Sequence, residues 1–202
     1  MPPLRLLLAT GNAHKAEEFA RLFADAGVAA EVLDARAVGG MPRVEETAGT
    51  FAGNARLKAE ALRRLAPAGT WVLADDSGLS VDALGGAPGV DSAVYAGPRA
   101  TDAENRAKLL AALSGAPSGR RSARFTCHLV LLGPEGEDME FTGHCEGEVL
   151  SAERGAGGFG YDSLFVPRGR DRTFAELPAS DKDELSHRAR AFAALAAWLR
   201  LG

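Results

Sequence analysis

Residues 4–27, LRLLLATGNAHKAEEFARLFADAG, lay out a strand, a turn and a helix without a break. Leu4 to Ala9 form a short continuous apolar run, the pattern of a strand buried on both faces. Thr10, Gly11 and Asn12 interrupt it. Phe19, Leu22, Phe23 and Ala26 then recur at helical spacing, and Gly27 supplies the stop. A buried strand feeding straight into a helix opens an α/β sheet.

The pattern continues outward. AEVLD (30–34) reads as a second strand, 36–49 as loop, and 50–66 as a helix with Thr47 or Thr50 near its start. WVLA (71–74) is a third strand, and 85–100 form a loop rich in glycine and proline. Thr101 and Glu104 make a capping box ahead of a helix bearing Leu109, Leu110 and Leu113. ARFTCHLVLL and MEFTGHCEGEVL, joined by GPEGED, predict an antiparallel hairpin. From about Ser180 the chain turns helical, with Phe192, Leu195, Ala196 and Leu199 on one face. The order predicts an α/β fold with a mixed, mostly parallel central sheet flanked by helices. With no clean linker, residues 1–202 read as a single domain whose two lobes share one sheet.

Composition narrows the function. The chain has 202 residues and a net charge of −4. A general nucleic-acid binder carries a basic excess, so nucleic acid is not the expected partner. No stretch approaches a membrane span, and the apolar opening is too short for a signal sequence. With only Cys127 and Cys145, the expected setting is reducing and cytoplasmic.

Several stretches could carry chemistry. Thr10, Gly11 and Asn12 sit where a first strand hands over to a helix, the usual ligand edge of such sheets. Lys15, in the first helical turn, gains nothing from the helix dipole and suits a phosphate. An ordinary Asn turn with a solvated lysine is the plainer reading; on the functional one Lys15→Ala is expected to weaken substrate use without unfolding the protein. Glu46 precedes a helix carrying Asn54 and Lys58 at i,i+4; a solvated amphipathic helix would look the same. Asp75 and Asp76 follow WVLA, just past the expected strand end. Two adjacent acids repel unless a cation is near, which points to a metal or base site, although Asp-Ser-Gly also suits a turn. GAGGFGYD (155–162) matches G-x-G-x-x-G but lacks the strand before and helix after that a dinucleotide site needs. It reads instead as a flexible loop offering Phe159 to a flat base, or as a turn with a core Phe. Lys182, His187 and Arg188 cluster near the start of the terminal helix, either as donors to phosphate or base oxygens or as a solvated first turn. Cys127-His128 and His144-Cys145 cannot ligate zinc as pairs, because strand neighbours face opposite ways. GRRSAR (119–124) reads as a solvated basic turn.

ATGNAHKAEEF, VEETAGTFAGNARLKAEA, ADDSGLSVDALGGAPGV, GGFGYDSLF and LSHRARAF, in that order, resemble the inosine/xanthosine triphosphate pyrophosphatase family, from Ala9 to Phe192. The resemblance implies two lobes around a nucleotide cleft, a homodimer, and Mg²⁺-dependent hydrolysis of ITP, dITP and XTP to monophosphate and pyrophosphate. It implies that Thr10, Gly11, Asn12 and Lys15 contact the triphosphate and that Glu46 and Asp76 are metal ligands, with Asp76 also the catalytic acid. It places Ser77 on the substrate, Asn54 and Lys58 on a helix facing it, and Phe159, Gly160, Tyr161, Asp162, Lys182, His187 and Arg188 around base and phosphate. Two positions depart from the family's habit. Val94 stands where arginine is common, with an implied effect at the dimer contact. Ser163 stands for proline, which is expected to loosen the base loop. A nucleotide sensor without chemistry would lose the acids, all of which are present here. A broader phosphatase would release orthophosphate instead.

Overall fold

The computed structural model describes residues 4–117 and 119–200. Its strands are β1 (Leu4–Ala9), β2 (Ala30–Asp34), β3 (Trp71–Val81), β4 (Ser122–Leu132), β5 (Asp138–Val149) and β6 (Phe165–Pro167). Its helices are α1 (Ala13–Asp25), α2 (Phe51–Arg63), α3 (Asp102–Ala112), α4 (Ala179–Leu185) and α5 (His187–Leu199). The strands form one sheet in the order β2-β1-β3-β4-β5-β6. β1 runs parallel to both β2 and β3, and β5 runs antiparallel to β6. β4 and β5 are neighbours joined by residues 133–137, where Gly133 N–H donates to the Glu137 carbonyl at 2.8 Å. So short a link permits only an antiparallel pair, as the hairpin reading expected.

The chain forms two compact units. One comprises residues up to Asp76, Cys127–Gly143 and residues from Arg188 onward; the other comprises Ser77–Thr126 and His144–His187. In the first, β1, β3 and β4 are covered on both faces, as their unbroken apolar runs require. Leu6, Leu8, Leu73 and Leu129 pack with Phe19 and Leu22 of α1 and Phe192 and Leu195 of α5. Leu7, Val72 and Val130 pack with Ala55, Ala59 and Leu62 of α2. Odd and even positions of each strand thus meet different helices. The second unit buries Leu79, Leu109, Phe125, Leu164, Phe165 and Phe174 together.

Caps fix the helix starts that matter for the site. Asn12 Oδ1 accepts from Lys15 N–H at 3.2 Å at the head of α1. Thr50, not Thr47, caps α2 by accepting from Gly53 N–H at 3.1 Å. The capping box of Thr101 and Glu104 opens α3 as the sequence predicts.

The structure departs from the sequence reading at several places. β3 does not stop at Ala74 but continues through Asp75, Asp76, Ser77 and Gly78 to Val81, so neither the strand end nor the Asp-Ser-Gly turn is there. The terminal helical region is two helices, because Ser186 is extended with ψ 158°. Residues 85–100 contain a 3-10 turn, Gly89–Val94. FVP forms the short strand β6, last in the sheet order, where a proline is tolerated. Arg121 is not solvated: its guanidinium donates to the carbonyls of Leu113 at 2.7 Å and Leu150 at 3.2 Å.

Because α2 carries Asn54 and Lys58, two candidate site residues, its cap is a test of the fold. Thr50→Ala is expected to cost about 1 kcal/mol in denaturant unfolding, and Thr50→Ser to restore most of it.

Candidate active site

The first unit gathers a dense set of charges around β3. Asp75 and Asp76 are adjacent on a pleated strand, so their side chains leave from opposite faces. Asp75 turns toward α1 and α5. Its Oδ2 accepts from Lys15 Nζ at 2.7 Å and lies 3.5 Å from Arg188 Nη2. Asp76 turns toward α2. Its Oδ1 accepts from Lys58 Nζ at 2.7 Å and its Oδ2 from Asn54 Nδ2 at 3.3 Å. Lys58 Nζ also meets Glu46 Oε2 at 2.8 Å, so one ammonium bridges the two acids expected to hold a metal. Asn54 Oδ1 in turn accepts from Ala48 N–H at 3.1 Å, which ties the segment after Glu46 to α2.

These contacts decide between the alternatives left open by the sequence. Asn12 is the turn-forming cap of the plainer reading, with its own N–H bonded to Thr10 Oγ1 at 3.1 Å. Lys15 is not solvated; its side chain is 15% exposed and engaged by Asp75. α2 is not a solvated helix at this face, since Asn54 is buried and the Lys58 side chain is 14% exposed. Gly11 is exposed in the loop between β1 and α1.

The two neighbouring acids are driven apart in proton affinity. Burial pushes Asp76 up to about 6, with the charge of Lys58 pulling against it. Asp75 is the more deeply buried, yet Lys15 and Arg188 outweigh that burial and hold its carboxyl below the usual range. Burial works against the charge of Lys58, but Asp76, Asp75 and Glu46 outweigh it and raise its affinity for a proton. The pair is unequal because Lys58 answers to three acids, while Asp76 leans mainly on one cation and is repelled by Glu46. Carboxylates separated in this way mark a permanent anion and a group able to exchange a proton near neutrality.

The second unit holds the remaining expected residues. Ser77 follows Asp76 along β3 and is half-buried. The glycine-rich loop is not loose. Asp162 Oδ2 accepts from Phe159 N–H at 2.9 Å and from Lys182 Nζ at 2.7 Å, and that ammonium lies 4.8 Å from the Phe159 ring centroid. Tyr161 donates its hydroxyl to the Ser92 carbonyl at 2.8 Å. Ser163 is buried, and its hydroxyl donates to Glu153 Oε2 at 2.8 Å. His187 stacks on Phe125 with ring centroids 4.7 Å apart. Lys182, His187 and Arg188 are not a solvated turn: all three are buried, Lys182 and His187 in the second unit and Arg188 in the first.

Among the described residues no group of three or more His, Cys, Asp and Glu is placed to hold a metal. Cys127 is buried, while its neighbour His128 bonds Glu140 and Thr142 on the other face of β4. The two side chains thus leave opposite faces of β4, as strand neighbours do.

The sequence model of the Ham1 family matches residues 6–198. The chain belongs to the Ham1 family. Among its Ham1-family relatives is a dITP/XTP pyrophosphatase of Opitutus terrae, 55% identical over 98% of this chain and 99% of that one. Another, of Geobacillus kaustophilus, bears the same name and is 49% identical over 94% of this chain and 91% of that one. A solved HAM1 protein from Coxiella burnetii superposes with a TM-score of 0.87 at 37% identity, covering 98% of this chain and all of that one.

One charged residue of this Ham1 site escaped the sequence reading. Glu18 is buried on α1 and accepts from Arg188 Nη1. Helical phase held the signal: Glu18 is three residues from Lys15 and four from the buried Leu22, so it lies on the inner face.

Two outcomes follow. Lys15→Ala now leaves a fully buried carboxylate with one cation fewer, so it is expected to lower stability by roughly 2–4 kcal/mol, and the double variant with Asp75→Asn to recover much of that. Asp76 binds a proton more tightly folded than unfolded. Its stabilising contribution to the metal-free protein is therefore complete below about pH 4 and lost as pH rises through about 6. Without metal, Asp76→Asn should match the native protein at pH 4 and exceed its stability at pH 7.5 by on the order of 2 kcal/mol in chemical denaturation.

Proposed function

We propose that this chain hydrolyses deaminated purine nucleoside triphosphates, namely ITP, dITP and XTP, to the monophosphate and pyrophosphate. The observation that carries the reading is the pair of neighbouring acids on β3, one held anionic and one poised near neutrality, among Lys15, Lys58 and Arg188. The names of the relatives support the same reading.

Mg²⁺ is the proposed cofactor, and the donor set suits it. Glu46 and Asp76 supply hard carboxylate oxygens against a common ammonium. Mg²⁺ takes one or two carboxylates and completes its shell with water and substrate phosphates, so it needs no larger protein cage. Bound there, the ion would neutralise charge on the phosphates as pyrophosphate departs.

The remaining work falls to the side chains. Asp76 is the carboxylate proposed to take a proton from the attacking water. The water oxygen bonds to the α-phosphorus, and the bond from that phosphorus to the bridging oxygen breaks, releasing pyrophosphate. Lys15 and Lys58 bring positive charge to the departing oxygens. Thr10, Gly11 and Asn12 border the same helix N-terminus, whose dipole favours phosphate. Phe159 supplies ring surface for the base, with Ser77, Gly160, Tyr161, Asp162, Lys182 and His187 as polar groups of the same unit.

Hypoxanthine and xanthine offer a 6-oxo acceptor and a protonated N1, and adenine reverses both. Two mispaired contacts at ~1–3 kcal/mol each give discrimination on the order of 10²–10⁴. A homodimer is proposed on the family resemblance, with the exposed Val94 as the surface residue to examine. A cytoplasmic setting is consistent with two buried cysteines outside any disulfide. No described helix is long and apolar enough to cross a membrane.

A substrate panel read separately for pyrophosphate and orthophosphate tests the reading. ITP, dITP and XTP should yield pyrophosphate with kcat/KM values about 10² or more above ATP. Comparable values for ATP, or orthophosphate as the product, would overturn it. Asp76→Asn should lose nearly all turnover while remaining folded.

A further inference from the structure

Gly160 is gripped at both sides of its backbone by a single helix. Its N–H donates to Asp102 Oδ2 at 2.6 Å, and its carbonyl accepts from Arg106 Nη1 at 2.9 Å. Asp102 and Arg106 are four apart on α3 and so share one helical face. Gly160 has φ +61°, a conformation that residues with a side chain rarely adopt, so the backbone can present both groups to that face. The grip is itself supported. Arg106 Nε donates to Glu153 Oε2 at 2.8 Å, and the same oxygen accepts from Ser163 Oγ at 2.8 Å. The chain therefore closes on itself: α3 holds Gly160, Glu153 holds Arg106, and Ser163, at the end of the same loop, holds Glu153. Asp162 and Lys182 secure the other side of the loop through Phe159 N–H and the Phe159 ring.

None of Asp102, Arg106 or Glu153 was expected to touch substrate. We propose that Asp102, Arg106, Glu153 and Ser163 are positioning residues that preset the Phe159 loop for the flat purine ring of the substrate. The inference rests on the reading of Phe159 as a base-stacking residue. Four glycines, Gly155, Gly157, Gly158 and Gly160, lie among residues 153–160. A chain so rich in glycine would otherwise have to be ordered each time substrate binds, and that cost would appear as lost affinity.

The test reads loop order and substrate use separately, in the full chain. Arg106→Met keeps the aliphatic stem and removes the donors; Glu153→Gln keeps shape and removes the charge. Arg106→Met is expected to speed amide exchange at Phe159 and Gly160 about tenfold or more. It should raise KM for ITP about tenfold while kcat stays within about twofold, the size expected from ordering a short loop anew on each binding. Arg106→Lys should recover part of both. The double variant with Glu153→Gln should be no worse than Arg106→Met alone, because the two act through one contact. Should Arg106→Met fail to fold, Ser163→Ala carries the same two readouts at smaller size. Unchanged exchange would overturn the clamp. Faster exchange with unchanged KM would overturn its role in recognition. If the native chain released no pyrophosphate from ITP, the functional reading would fail and the link to base recognition with it, while the exchange result would still report on the clamp.

Discussion

An ionised carboxylate in the middle of a buried strand is costly unless charge and hydrogen bonds meet it there. Asp75 is that carboxylate, and the first unit is arranged around meeting it. Lys15 reaches it from the first turn of α1, and Arg188 from the first turn of α5. Arg188 is in turn matched by Glu18. The result is a chain of alternating sign, Glu18, Arg188, Asp75 and Lys15, that ties the heads of two helices to the third strand. Removing any one member leaves its neighbours buried with the wrong charge, so the group behaves as one object.

Asp76 owes its character to what this arrangement does not give it. It faces α2, where Lys58 is shared with Glu46 and the remaining partner is the neutral amide of Asn54. Burial then prevails and the proton is held more tightly. Two residues of the same type thus differ in proton affinity: Asp75 is held anionic in the strand, and Asp76 keeps its proton more tightly, at some cost to the metal-free protein.

The elements that follow from local pattern were legible in the sequence: β1 from its apolar run, α1 from its spacing, α3 from Thr101 and Glu104, and the hairpin from its short link. The length of β3 was not. Two acids read as a strand end because their charges are local, while the groups that neutralise them come from far along the chain; Lys15 is 60 residues from Asp75. The helix break before His187 was not legible, because spacing alone does not reveal that the extended Ser186 ends one helix and begins another. Asn54 and Lys58 were legible as a face of α2, since i,i+4 spacing is sufficient to define one. Glu18 was legible in principle and passed over, hidden beside the similar Glu17.

The pleat of β3 has a consequence for how this site can change. Asp75 and Asp76 are chemically identical, and only the parity of their positions assigns one to α1 and α5 and the other to α2. Inserting or deleting a single residue upstream in the strand would exchange the two addresses without altering the composition of the site. Asp76 would then face Lys15 and Arg188, and Asp75 would face α2. The spacing between Trp71 and Asp76 therefore sets the partners of both acids, so this stretch tolerates substitution better than a change in length.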